Sequence, residues 1–126
     1  MPTPTERDER CRWCGRKLPE REGPGRPRRY CRAGCRQAAH LARKLAASHG
    51  LGDDDVIVDR EKVEDLQGLL YCLQAAIEDV DRDLAGPGKV SAREVREALD
   101  WLLDNARPLA DAWIEPRTAA AELGLQ

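Results

Sequence analysis

The sequence predicts a mostly α-helical chain, with a small cysteine-bearing module at its N-terminal end and an antiparallel helical hairpin after it. Three observations carry this. Four of the five cysteines fall between residues 11 and 35, in two closely spaced pairs. From Asp59 onward apolar residues recur every three or four positions, the period of one helix face. Two such stretches are separated by Gly86-Pro87-Gly88, a run that resists helix continuation and favours a tight turn.

The 126 residues suffice for one ordinary domain, or for a small module joined to a second element. No segment approaches the roughly 20 apolar residues of a membrane helix. The start, MPTPTERDER, has no apolar core of the signal-peptide kind, which argues for a cytoplasmic protein. In that reducing compartment clustered cysteines more often bind metal than pair as disulfides. The formal charge of -2 hides a division: residues 1–49 carry 13 Lys and Arg against 5 Asp and Glu, whereas residues 50–126 carry 8 against 18. A basic half beside an acidic half suggests that one part faces a polyanion, although both could be ordinary solvated surface.

Taken in order, residues 1–10 read as a disordered lead, with two prolines and alternating charges that offer nothing to bury. Residues 11–50 form the cysteine module, which closes with a helix from near Ala33 to Gly50 or Gly52. An acidic linker occupies 51–58 and the hairpin 59–114. In its first helix Val63, Leu66, Leu70, Leu73, Ile77, Val80 and Leu84 keep to one stripe. Ser91 and Glu94 have the capping-box spacing that starts the second. That helix carries Val95, Leu99, Leu102, Ala106, Leu109 and Trp113, with a kink or break expected near Asn105 because Pro108 lacks an amide proton and crowds the carbonyl of Asp104. Residues 115–126 are a weakly patterned tail in which AAAEL could form a turn or two of helix.

A lone two-helix hairpin is marginal because most of its surface stays wet, and this one contains no Phe. Self-association into a four-helix bundle would cover both seams, with packing back on the cysteine module as the competing solution. Cys72, next to the seam residue Leu73, reads as a small packed hydrophobe or as an intermolecular contact.

Cys11 and Cys14 are separated by two residues, Cys31 and Cys35 by three, and the pairs by sixteen. Zinc prefers a tetrahedron of thiolates, and two short-spaced pairs let each local turn donate two sulfurs without strain. Gly15 directly after Cys14 suits a knuckle that needs positive φ. The same cysteines could also be buried fillers, a redox pair or iron–sulfur ligands, but a thioredoxin-like pair needs a βαβ unit and none is predicted. Structural Zn2+ on Cys11, Cys14, Cys31 and Cys35 is the leading reading, and four protein ligands leave no open position for a catalytic metal. His40, five residues past Cys35, rotates off the cysteine face.

The runs CRWCGRKL and GRPRRYCRAGCRQAAH resemble the small treble-clef zinc fingers common in actinobacterial-type proteins. There a cysteine pair on a knuckle is followed by a Y-C-x3-C-R pair opening a helix. The resemblance covers residues 11–45, and implies a treble-clef fold with the same four cysteines as ligands. His40 stands where many such fingers carry an aromatic.

Between the pairs lies GPGRPRR, whose Gly-Arg-Pro core resembles the AT-hook that lays arginines along the minor groove. Arg26, Arg28 and Arg29 would be the inserted set; phosphate contact and a merely solvated loop are the alternatives. On the following helix Arg36, His40 and Arg43 share one face, with Arg32 at its edge. Such a face can track phosphates, enter the major groove or simply be solvated. The leading function is therefore a regulatory DNA-binding protein, with RNA also open, that contacts nucleic acid through Arg26, Arg28, Arg29, Arg32, Arg36 and Arg43 while the acidic hairpin forms a homodimer. The alternative is an adaptor that binds a protein partner through finger and hairpin. No nucleophile–base arrangement or P-loop is present, so no enzyme is expected.

Overall fold

The computed structural model describes residues 9–19, 25 and 28–118. Among these residues are three helices, α1 (Ala33–Ser48), α2 (Arg60–Leu84) and α3 (Ala92–Ala110), and no β-strand. The chain is thus mostly helical, as its periodicity predicts. None of the described helices is long and apolar enough to cross a membrane.

Two compact units divide the chain: one runs to Asp59 and resumes at Trp113, the other is Arg60–Ala112. In the first unit α1 turns Cys35, Ala42, Leu45 and Ala46 inward, three and four residues apart or a multiple of that spacing, and leaves Arg36, His40 and Arg43 exposed. Its end is fixed by backbone geometry. Gly50 adopts φ +78°, where a Cβ costs about 1 kcal/mol, and this lets its N–H reach Ala47 O (3.0 Å) while Leu51 N–H reaches Ala46 O (3.0 Å). Of the two glycines the sequence offered, Gly50 is the one that closes the helix.

Past α1 a tight turn is held by the Asp55 carboxylate, which accepts from Gly52 N–H at 2.9 Å. The segment returning after α3 joins the same unit. Arg117 N–H bonds Ile57 O at 2.7 Å, and the Arg117 guanidinium stands 3.5 Å from Asp59.

In the second unit α2 packs along α3. The most buried residue of each helix is an alanine, Ala76 and Ala98, whose short side chain lets the neighbouring backbone come close. Ser91 and Glu94 form the expected reciprocal cap, with Glu94 N–H on Ser91 Oγ and Ser91 N–H on the Glu94 carboxylate, each at 3.1 Å. Trp101 Nε1 donates to Asp79 Oδ2 at 3.1 Å, a bond between the two helices.

Three expectations need correction. Pro108 does not break α3, which continues to Ala110. The ring removes only the bond to Asp104, an exposed residue whose carbonyl water can serve, and Asp111 N–H restores helical bonding on Arg107 O at 3.1 Å. Nor does Trp113 belong to a helical seam, since the chain has left the helix by Ala112. Finally, Leu70, Ile77, Val95 and Leu99, assigned to the seams, are exposed, while Leu69, Leu73 and Leu102 are half-buried. Ridge packing through the two alanines rotates the contact away from the four larger side chains.

Candidate metal centre

The first cysteine pair sits on a short reversal of the chain. Leu18 N–H bonds Glu9 O (2.9 Å), Cys11 N–H bonds Arg16 O (2.8 Å), and Arg10 pairs with Lys17 in an isolated antiparallel bridge. Gly15 completes the reversal with φ +77° and donates its N–H to Cys11 O at 3.0 Å. A side chain there would be strained, so the sequence C-R-W-C-G meets a backbone need. The second pair is placed by α1, with Cys31 just before it and Cys35 in its first turn. One further bond joins the two halves: Arg12 N–H to Arg29 O at 2.9 Å.

This arrangement brings the sulfurs of Cys11, Cys14, Cys31 and Cys35 together, all within 4.8 Å of one another. The Cys14–Cys31 and Cys31–Cys35 sulfur pairs stand 3.5 and 3.6 Å apart, and all four are free thiols. Four sulfurs bound at about 2.3 Å to one ion form a tetrahedron with edges of about 3.8 Å. The cluster therefore fits a tetrahedral metal ion such as Zn2+, closed by four protein ligands. His40 lies outside it, on the exposed side of α1.

Electrostatics point the same way. Burial alone would push the Cys11 thiol up, but the backbone amides of Cys14, Cys31 and Trp13 and the Cys14 thiol stabilise its thiolate and bring it down to about 6. The Cys31 thiol is pushed up to about 12, first by its hydrogen bond with Cys14, then by burial and its bond with Cys35, and further by the charge on Cys11. One thiolate forms readily and the next is opposed by it. A bound dication reverses that opposition, which is why such a cluster is suited to a metal. Arg32, at the N-cap of α1, is held more firmly as a cation, chiefly by the Cys35 sulfur beside it.

Around the ligands Leu18, Trp13 and Tyr30 form a small apolar cluster with the cysteines. A further aromatic residue reaches the knuckle, and sequence reasoning missed it. Trp113 Nε1 donates to Trp13 O at 2.8 Å, and its ring lies so close over Gly15 that a side chain at that position would collide with Trp113 Cδ2. The signal was masked because Trp113 is four residues after Leu109 and so extends the apparent helical stripe. Pro116, three residues on, was the available hint that the helix had ended.

The arginines fall into two groups. Arg28, Arg29, Arg32 and Arg36 line one depression at the start of α1, beside Tyr30 and Cys31. Arg43 is exposed two turns further along the helix. Arg26 and the rest of the Gly-Arg-Pro core lie outside the described residues, apart from Gly25. Comparison with protein-family models, with curated proteins and with solved structures returns no match.

Proposed function

We propose that the chain is a zinc-finger protein of treble-clef type that binds DNA through its basic module and holds two copies together through the acidic α2–α3 pair, read as an antiparallel hairpin. The observation that carries the reading is the convergence of Arg28, Arg29, Arg32 and Arg36 on one depression. Four arginines lining one depression suit a shared anion, and the two non-bridging oxygens of a phosphodiester can accept a bidentate pair of hydrogen bonds from a planar guanidinium. The opening of α1 adds to this. It has no acidic residue in its first turn and no side-chain cap, and its Cys35 sulfur is turned to the metal cluster, so the exposed side of its positive end carries no carboxylate. Arg36 and Arg43 extend the positive surface along the exposed side of α1.

Zn2+ supplies the frame: it neutralises the thiolates and fixes the knuckle against α1, and so fixes the arginines that flank both. Cysteines clustered as metal ligands rather than paired as disulfides suit a reducing compartment, which supports a cytoplasmic protein. The hairpin reading is supported by the Asp79–Trp101 bond and by a depression lined both by Leu84, at the end of α2, and by Glu94, near the start of α3.

A fluorescence anisotropy titration against duplex DNA at several salt concentrations tests the reading. Binding governed by phosphate contacts weakens steeply with salt, by a slope of about 0.9 per phosphate neutralised. Replacing Arg28 and Arg36 by Ala lowers that slope by about one unit each. Absence of binding at low salt by zinc-loaded protein refutes it.

A further inference from the structure

We infer that a second copy of this chain docks on the α2–α3 pair through one charge-poor face built from Leu70, Ile77, Val95 and Leu99. The inference rests on the proposed pairing of two copies and on reading α2 and α3 as an antiparallel hairpin. Leu70 and Ile77 are seven residues apart and share one flank of α2; Val95 and Leu99 are four apart and share one flank of α3. In an antiparallel pair these flanks open on the same side, while Asp79 and Trp101 meet on the other. The four side chains keep 48, 45, 46 and 52% of their surface exposed, which sets this flank apart from the alanine-lined contact between the helices.

The identity of the occupant follows from charge. Residues 66–77, LQGLLYCLQAAI, contain no charged side chain in a chain that is 35% charged, where about four would be expected. The rest of the unit is acidic: Arg60–Ala112 holds 12 Asp and Glu against 7 Lys and Arg. A basic partner would be met by acidic groups within the contact. A like-charged copy requires the reverse, a contact from which charge is removed, because like charges brought face to face across an interface cost several kcal/mol. The charge-free stretch meets that requirement on the α2 side of the face, and a two-fold axis through it sets each copy's Leu70–Ile77 flank and Val95–Leu99 flank against the other's.

Size agrees as well. The 19 residues of α3 span about 28 Å, and two packed helices are about 18 Å wide, giving a footprint on the order of 500 Å2 before side-chain relief. A standard interface buries about 800 Å2 of accessible surface per partner, so the face is of the right order for a stable pair.

Sedimentation equilibrium on the full zinc-loaded chain between about 1 and 100 µM decides the matter. The expected result is a mass twice 14.1 kDa, with Leu70→Glu and Leu99→Glu raising the dimer Kd by about 100-fold or more, since each change enters the interface twice. Tyr71→Glu, on the outward side of α2, leaves the mass unchanged. Should the Glu variants lose helical circular dichroism, the milder pair Ile77→Ser and Leu99→Ser replaces them, with about 10-fold weakening expected. A monomer across the whole range overturns the inference, as does a dimer insensitive to these substitutions while the helices stay intact. Docking of the face on the chain's own first unit would appear as the monomer outcome. Salt-dependent DNA binding by the wild-type chain is measured separately, so the dimer and the DNA reading fail independently.

Discussion

Trp113 closes over Gly15: its indole ring occupies the space into which any side chain at that position would project, and its Nε1–H is bonded to Trp13 O at 2.8 Å. A residue 98 positions further along the sequence thus covers the knuckle that presents Cys11 and Cys14. The contact makes the C-terminal segment part of the metal module.

Gly15→Ala is consequently disruptive on two counts. Positive φ costs an alanine about 1 kcal/mol, and the collision with the indole adds a few kcal/mol unless the ring withdraws. Trp113→Ala alone costs about 1–2 kcal/mol, less than a fully buried tryptophan, because the ring is half exposed. In the double variant the collision vanishes, and the φ cost remains together with the loss of the indole's own contacts. Denaturant titration of the four proteins should therefore give a coupling above about 1 kcal/mol, and additivity would show that the two residues do not touch.

Chelation separates the two units. With the ion removed, no metal bonds hold the sulfurs to one another, the knuckle loses its anchor, and the 16-residue helix α1 loses its first-turn tether at Cys35. Helices α2 and α3, of 25 and 19 residues, carry no ligand. A chelator should therefore abolish the near-ultraviolet signal of Trp13 and Trp113 while most far-ultraviolet helical signal remains.

Metal affinity should rise with pH. The Cys31 thiol, pushed up to about 12, keeps its proton at neutral pH without metal and must release it on binding; the Cys11 thiol, near 6, is already ionised at pH 7. Each proton released makes affinity tenfold greater per pH unit, and below about pH 6 Cys11 adds one more to the count. Competition titrations with a chromophoric chelator between pH 5.5 and 8 should show the dependence steepen at the acid end.

Ser91→Ala removes the hydroxyl that accepts Glu94 N–H and should cost about 1 kcal/mol, with fraying confined to the first turn of α3. Amide hydrogen exchange at Glu94 reports it directly. Unchanged protection there would contradict the cap.

What the sequence made legible was whatever depends on local spacing. Each cysteine pair, the Ser91–Glu94 cap and the close of α1 at Gly50 follow from residues within a few positions of one another, where bond geometry leaves few choices. Contacts between distant segments were not legible. Periodicity placed Trp113 on a seam because it cannot distinguish a helix that continues from one that has just ended. The seam itself was placed a fraction of a turn off, since Leu70 and Leu69 fit a stripe equally well until the alanines Ala76 and Ala98 set which side faces inward.

The first unit is organised around four sulfurs placed to grip one ion. X-ray absorption at the zinc edge, on purified protein with metal content measured in parallel, tests this most directly. One Zn per chain with a first shell of four sulfurs at about 2.3 Å is the expected result. Substoichiometric metal, or a shell containing nitrogen or oxygen in place of any sulfur, would contradict it.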